Sequence, residues 1–323
     1  MRRPLPRTAL LAALAALLAC ARGDRDAEAR LRGPSTPAAT EGAFDADHPE
    51  AGLALDADAV ARRLGAFEWD AAVEWTTQRK GAEADRLRVT ETHTLRQFPA
   101  GEFAVRAELD PGQGPGSVGG KELVYVGGLT YGRALPAPFR VRPTDHGRDA
   151  RRYREDSFGM VREVLGLLGP GARLERAGEE RVLGREAVRY QLSLAEAPAP
   201  TPAPAAPGAQ LEDPDTARRR AFLDGRRPTQ AKGEVLLDAA TGAPLRARLS
   251  ATFRSGEQRE VTTTVELSAQ VRAVGAVKAV SAPAGALPDE RKPAGPSTAL
   301  EAAGLKKRGE QPAGGAEPAD EQE

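Results

Sequence analysis

Apolar and polar positions alternate along most of the chain between residues 67 and 271, and this alternation predicts a β-rich domain. The clearest stretch runs over residues 67–76, where one face carries Phe67, Trp69, Ala71, Val73 and Trp75. A period of two places these side chains on the same side of a strand. Comparable segments occupy residues 87–98, 102–109, 121–131, 139–142, 174–177, 187–194, 232–238, 245–254 and 260–271. The pattern therefore predicts eight or more long strands joined mostly as antiparallel hairpins.

The segment 121–131 is read as one strand with an irregularity in its middle. Leu123, Tyr125, Leu129 and Tyr131 are expected on one face, and Gly127-Gly128 is expected to form a bulge or bend. Glu179-Glu180, by contrast, is expected to lie in a turn.

Helical spacing appears at two places. Asp56 or Asp58 is expected to cap a short helix that ends with Leu64 and Gly65. A second helix is expected to open at Asp156 or Ser157 and to stop at Gly169-Pro170. Its apolar residues recur at helical spacing: Phe158, Val161, Val164, Leu165 and Leu168. The fold class that follows is mainly β with one or two helices covering the sheet.

Composition divides the rest of the chain. Residues 21–55 contain few large apolar side chains and are expected to form a flexible tether. The β-rich domain is assigned to residues 56–280, with a Pro/Ala-rich insertion at about 195–215. Residues 281–323 are rich in Ala, Gly, Pro and charge, and a disordered tail is expected there.

The N-terminus has the layout of a secretory signal at residues 1–20. Arg2, Arg3 and Arg7 precede an apolar run from 9 to 19, which is too short to span a bilayer. The end of that run, Leu17-Leu18-Ala19-Cys20, resembles the lipobox of bacterial lipoproteins. The resemblance implies that Cys20 receives a lipid and anchors the protein to the envelope, facing the periplasm. An ordinary cleaved signal with a chance cysteine is the alternative. By the same resemblance, the residue after Cys20, an alanine, favours the outer membrane.

Charge and cysteine content exclude several classes of function. The chain has 46 basic and 46 acidic residues, so no global positive field would recruit nucleic acid. Cys20 is the one cysteine, so no intramolecular disulfide can form and the fold must rest on its hydrophobic core. We expect a monomer.

The order of strands and helices resembles the LolA/LolB-type periplasmic lipoprotein carriers and the related mycobacterial lipid-binding lipoproteins. Two stretches contribute to the likeness: Gly184-Arg185-Glu186-Ala187-Val188-Arg189-Tyr190, and Val235-Leu236-Leu237-Asp238 followed by Thr241-Gly242-Ala243-Pro244-Leu245. The resemblance implies an unclosed antiparallel β-barrel with helices across its opening. It also implies a hydrophobic ligand, either a lipid, an acyl chain or a lipoprotein.

Nine residues are candidates for a ligand-binding wall or lid: Phe67, Trp69, Trp75, Phe103, Tyr125, Tyr131, Phe158, Val161 and Leu165. The same residues are also what an ordinary core would contain, since aromatic side chains dominate cores. The two interpretations are compatible, because the wall of a pocket is also core.

Two polar clusters have open interpretations. Glu91 and His93 share a strand face with apolar residues, which indicates a partly hydrated cavity, a solvent-facing side near a strand end, or a simple pair between the two residues. The arginines between 140 and 154 either contact lipid phosphates or form a solvated loop, and the acidic residues among them favour the loop.

Signals for catalysis are weak. The histidines are His48, His93 and His146, and the sequence has no phosphate loop, zinc spacing or nucleophile elbow. We therefore expect no catalytic residues, no metal site, no cofactor and no enzymatic activity. The leading hypothesis is a lipid-anchored envelope protein that binds a hydrophobic ligand. The alternative is a scaffold or sensor module that binds a protein partner through its loops and tails.

Overall fold

The computed structural model describes residues 44–114, 116–143, 145–195, 223, 225–255 and 260–289; within them, the side chains of 82–85 are left aside. Cys20 and the signal, most of the tether, the insertion from 196 onwards and the tail beyond 289 lie outside the described residues. One compact unit begins at Asp45, and the description that follows concerns that unit.

The described residues of this unit form a twelve-stranded sheet that does not close. Its strands are β1 (Phe67–Arg79), β2 (Ala82–Gln97), β3 (Phe103–Asp110), β4 (Gly119–Val126), β5 (Leu129–Ala134), β6 (Arg140–Arg142), β7 (Ala172–Val182), β8 (Arg185–Leu194), β9 (Arg227–Asp238), β10 (Pro244–Ser255), β11 (Val261–Val274) and β12 (Leu287–Pro288). The spatial order is β12-β6-β5-β4-β3-β2-β1-β11-β10-β9-β8-β7. Every pair is antiparallel except β12 with β6. The predicted fold class, an open β-sheet with a few helices, is confirmed.

Four α-helices accompany the sheet in the described part of the chain: α1 (Pro49–Leu53), α2 (Ala57–Leu64), α3 (Arg148–Phe158) and α4 (Met160–Leu168). Helix α3 packs on β1–β4, and α4 packs on β9–β11, so both cover the same sheet. A short 3₁₀ turn (Gly169–Gly171) leads into β7. No helix in the ranges described here is both long and apolar enough to cross a bilayer.

The middle of the sheet has one buried face, as the alternation predicts. In β11 the buried residues are Thr263, Val265, Leu267, Ala269 and Val271, while their neighbours are exposed or half-buried. The buried face continues on β1, because Trp69 pairs with Val271 and Val73 pairs with Leu267 in the neighbouring strand. The buried face is the one on which the helices pack.

The segment 121–131 is a hairpin and not one interrupted strand. Gly127 and Gly128 both have positive φ (58° and 77°) and form its two-residue turn. Tyr131 therefore pairs with Val124 and lies on the opposite sheet face from Tyr125. The prediction that these two tyrosines share a face was wrong, because reversal at a turn resets the alternation.

The helix expected from Asp156 onwards starts earlier and is broken. Helix α3 begins at Arg148, where Asp145 accepts a hydrogen bond from the backbone N–H of Asp149 (3.1 Å). Gly159 separates α3 from α4. The arginines expected in a solvated loop are thus partly helical, and Arg154 is buried.

In the second half of the chain, the hairpin predicted at 238–244 is present, but one turn lies at a different place from the one predicted. Asp238 accepts hydrogen bonds from the backbone N–H (2.9 Å) and the hydroxyl (2.7 Å) of Thr241, which fixes the turn. Glu179 and Glu180 lie inside β7, so the turn predicted there was wrong. The chain reverses instead between β7 and β8, at Leu183 and Gly184, which both have positive φ.

Both ends of the predicted domain extend further than the composition indicates. Helix α1 lies within the expected tether, and its Gly52 sits so close to Gly242 that a Cβ would be 2.4 Å from the Gly242 carbonyl oxygen. Tyr190 donates a hydrogen bond to the carbonyl of Ala46 (2.8 Å). At the other end, Leu287–Pro288 pairs with β6. The packed unit therefore includes residues from about 45 to 289.

Candidate functional site

A cavity of about 1030 Å³ lies between the helix-covered face of the sheet and the two helices α3 and α4. Its volume is at the upper end of the roughly 300–1,000 Å³ typical of small-molecule pockets. The sheet wall comes from β1–β4, which lie side by side in the sheet. We call this space the groove.

The apolar part of the groove comes from both walls. On the sheet side it consists of Val73, Trp75, Val89, Ala107 and Leu109, and on the helix side of Met160, Val164 and Leu167. Leu223, which shortly precedes β9 in the chain, also lines it. Val73 and Val164 are almost fully buried, while Leu109 is 42% exposed. The wall thus runs from the core out to the surface, which gives an apolar molecule a path inwards.

Polar side chains also line the groove. They are the acidic Glu91, Asp156 and Glu163, the basic Lys121 and Arg152, and the neutral His93 and Tyr153. The ammonium of Lys121 lies 5.1 Å from the centre of the Tyr153 ring. Burial, with the nearby carboxylates of Glu91 and Asp156, raises the pKa of Tyr153 to about 12, so its hydroxyl is neutral at physiological pH.

His93 is the buried polar group on the sheet side of the groove. Its Nδ1 lies 2.9 Å from the hydroxyl oxygen of Ser157 on α3. Burial lowers the pKa of His93 from 6.5 to about 4, because a charged imidazole would lose its hydration there. The imidazole is therefore neutral at pH 7. The expected solvent-facing side is contradicted at His93, which is only 9% exposed. The expected Glu91–His93 pair is also absent, because Nδ1 of His93 bonds to Ser157 and its Nε2 has no hydrogen-bond partner among the described residues.

The depressed pKa of His93 predicts a loss of stability in acid. The unfolded chain takes up a proton near pH 6.5 and the folded chain only near pH 4, so the contribution is complete above pH 6.5 and declines as pH falls to 4. The expected loss across this window is about 3 kcal/mol. Urea unfolding of wild type and His93→Phe at several pH values should show this slope as the difference between the two proteins. An unchanged slope in His93→Phe would contradict the prediction.

Helix α3 is held beside the groove by a group of side chains that we call the Arg154 cluster: Arg154, Asp58, Gln97 and Glu155. Two guanidinium nitrogens of Arg154 donate to the two carboxylate oxygens of Asp58 (2.8 Å each). Arg154 also donates to Glu155 (2.9 Å) and Gln97 (3.3 Å). Its guanidinium lies over the Phe103 ring at 4.7 Å. The cluster therefore joins α2, α3, β2 and β3.

Of the nine residues predicted to bind a ligand, Trp75 is the one that lines the groove. Phe67, Trp69, Phe103, Phe158 and Val161 are core residues with at most 4% exposure. Phe158 packs against Phe67 and Trp69 with ring centres 5.7 and 5.1 Å apart. Tyr125 packs on Phe103, Tyr131 lies on the other face, and Leu165 is half-buried. The geometry gives most of this set the role of ordinary core.

The helix residues that do line the groove were not predicted as binding residues. Met160, Val164 and Leu167 lie on α4, where Val161, Val164 and Leu168 of the predicted apolar stripe are buried as well. Val164 was the available signal, because it belongs to the helical pattern that the sequence shows over residues 158–168. Within the described ranges, no group of three or more His, Cys, Asp and Glu side chains is arranged to hold a metal ion.

No protein-family model and no curated protein matches this sequence. Among solved structures, the chain is similar to the lipoprotein LppX of Mycobacterium tuberculosis (11% identity, 73% of this chain and 100% of that one, TM-score 0.26). It is also similar to a putative outer membrane lipoprotein-sorting protein domain from Vibrio parahaemolyticus (12%, 71% and 95%, TM-score 0.22). A LolA superfamily protein from Nitrosomonas europaea matches at 9% identity over 68% and 95% of the two chains, with a TM-score of 0.15. These are the groups that the sequence resemblance names, and at such identities the likeness concerns the fold alone.

Proposed function

We propose that this protein binds the hydrocarbon part of a lipid, a free acyl chain or an acylated protein in the groove. The observation that carries the proposal is a cavity of about 1030 Å³ whose apolar lining continues from buried Val73 to exposed Leu109. Burial of hydrocarbon on such a wall contributes roughly 0.8 kcal/mol per methylene group. A chain of a dozen carbons therefore supplies enough free energy for stable binding, even after the cost of ordering it.

The mixed charges of the groove fit an amphiphile better than a pure hydrocarbon. Lys121 and Arg152 are cationic, and Glu91, Asp156 and Glu163 are anionic, so a polar headgroup meets partners of either sign. The apolar side chains then take the tail of the same molecule. We propose a ligand with both parts.

We propose further that Cys20 carries a lipid that anchors the protein in the bacterial envelope, with the domain in the periplasm and the outer membrane as the expected location. The support is the sequence Leu17-Leu18-Ala19-Cys20 after a basic start and a short apolar run. Metabolic labelling with radioactive palmitate tests the anchor. Label should enter the full chain and be absent from Cys20→Ser.

The test of the groove uses the Cys20→Ser chain purified from a bacterial periplasm without detergent. Native mass spectrometry should show co-purified species with the masses of fatty acids or phospholipids. After delipidation, 11-(dansylamino)undecanoic acid should bind at about one equivalent with micromolar affinity and a blue-shifted emission. A protein that is consistently empty and leaves the dansyl emission unchanged would refute the proposal.

A further inference from the structure

His93 has one ring nitrogen with a partner and one without. Its Nδ1 lies 2.9 Å from the Ser157 hydroxyl oxygen. Its Nε2 is buried and has no hydrogen-bond partner within the part of the chain that the structure describes. The side chain lines the groove and is only 9% exposed. A buried polar atom without a partner is costly, so this nitrogen needs an explanation.

The hydrogen bonds of Ser157 fix which nitrogen of His93 carries the proton. The Ser157 hydroxyl lies 2.9 Å from the carbonyl oxygen of Tyr153, which can only accept. The single hydroxyl hydrogen is thus used on Tyr153, and the Ser157 oxygen accepts from Nδ1–H of His93. This is the assignment in which both 2.9 Å contacts are hydrogen bonds. Since burial keeps the imidazole neutral, with a pKa of about 4, Nε2 then has a lone pair and no hydrogen.

The two residues directly paired with His93 offer no donor in their side chains. Ala71 of β1 and Ala107 of β3 are its register partners, and both are buried. These methyl side chains can neither donate to Nε2 nor fill much space beside the ring. At this point of the sheet wall, the His93 ring therefore presents the acceptor Nε2 between two small apolar residues.

We infer that Nε2 of His93 is a binding subsite for a hydrogen-bond donor, a hydroxyl or an amide N–H, carried by an amphiphilic ligand of the groove. This inference rests on the proposed function and narrows its ligand class. A carboxylate has no hydrogen to donate, so an ionised fatty acid leaves Nε2 unpaired, whereas an alcohol or an N-acyl amide does not. Because Nε2 is buried, the ligand displaces the side chains that cover it as it enters between the sheet and the helices.

The test compares two isomers, 1-tetradecanol and methyl tridecyl ether, which differ in whether their oxygen can donate. Each competes with 11-(dansylamino)undecanoic acid for the Cys20→Ser chain at pH 7.5, and the readout is the Kd ratio of ether to alcohol. This ratio should be about tenfold larger in wild type than in His93→Phe, as expected for one satisfied buried hydrogen bond. The free energy of transferring each ligand out of water is the same for both proteins, so it cancels when the Kd ratio of wild type is compared with that of His93→Phe.

Ser157→Ala provides a second variant that separates binding from structure. Without the Ser157 oxygen, the imidazole hydrogen is free to sit on Nε2, which then donates to either isomer. The Kd ratio of ether to alcohol should therefore fall towards the value in His93→Phe, while the ether still binds. A role of His93 in folding alone would change both affinities by the same factor.

The outcomes separate the two proposals. If both isomers bind and the ratio is the same in wild type, His93→Phe and Ser157→Ala, the subsite is refuted and the groove function stands. If neither isomer nor the dansyl probe binds, the groove function is refuted and the subsite with it. Chemical denaturation of each variant establishes that the compared proteins are folded.

Discussion

Replacement of Arg154 by alanine is expected to lower the free energy of unfolding by about 3–5 kcal/mol, the range for breaking a buried ion pair from one side. The Arg154 side chain is 4% exposed, so its partners lose their counterion and hydrogen bonds together when it is removed. Burial already raises the pKa of the Glu155 carboxyl, and Arg154 partly offsets that rise. Urea unfolding at pH 7 measures the change, with Arg152→Ala, an exposed arginine on the same helix, as the matched control. We expect that control to stay within about 0.5 kcal/mol of wild type.

A double-mutant cycle assigns this loss to the Arg154 cluster and not to packing alone. Asp58 is 34% exposed in its side chain, so Asp58→Ala should cost less than Arg154→Ala. The double variant should be more stable than the sum of the two single losses predicts, with a coupling of roughly 1–3 kcal/mol. Additive losses would show that the bidentate pair contributes little. The position of α3 beside the groove would then rest on its apolar contacts.

The Arg154 cluster shows which parts of the fold can be predicted from the sequence and which cannot. Asp58 was recognised as a candidate helix cap, and α2 with its Asp56 cap and Gly65 end matches that prediction. For Arg154 the sequence favours a solvated loop, because a local pattern of mixed charges carries no information about Asp58, which is 96 positions away. β1–β6 lie between Asp58 and Arg154 in the chain, so their contact belongs to the tertiary structure and has no local sequence signal.

Strands were predictable because alternation is a local signal, and errors arose where a turn changed the phase. The one-face pattern of β1 and β11 is present in the structure, whereas Tyr131 changed face at Gly127-Gly128. The site was harder to predict for another reason. Phe158, Val161, Val164 and Leu168 are buried as their spacing predicts, but which helix residues border the groove depends on how α3 and α4 pack on the sheet.

The sequence identifies the aromatic residues of β1, but it does not distinguish those in the core from those that line the groove. Trp69 and Trp75 lie on the same face of one strand and look equivalent in the sequence. Trp69 is fully buried under Phe158, while Trp75 is half-buried and lines the groove. The difference depends on how far α3 extends along the strand, which is a property of the tertiary packing. Trp75 is therefore the aromatic residue whose change should affect binding before it affects the core.

Trp75→Glu is expected to weaken binding of 11-(dansylamino)undecanoic acid by about a hundredfold or more, which corresponds to roughly 3 kcal/mol. The change removes a large apolar surface from the groove wall and places a carboxylate where hydrocarbon would lie. Fluorescence titration of the delipidated Cys20→Ser chain measures the loss. Trp75→Phe, which keeps an aromatic ring, should lose less than about tenfold.

Thr76→Glu supplies the control for introducing a carboxylate into this strand. Thr76 is next to Trp75 but points to the opposite face, where it is paired with Arg88 and where the Glu74–Arg88 ion pair lies. A glutamate there lies beside Arg88, the Glu74 carboxylate and solvent, on the face away from the groove, so ligand affinity should stay close to wild type. Equal losses in Trp75→Glu and Thr76→Glu would mean that the carboxylate disturbs the sheet as a whole. Loss in Trp75→Glu alone, in a protein that unfolds at a similar urea concentration, places the hydrocarbon on the helix-covered face of β1.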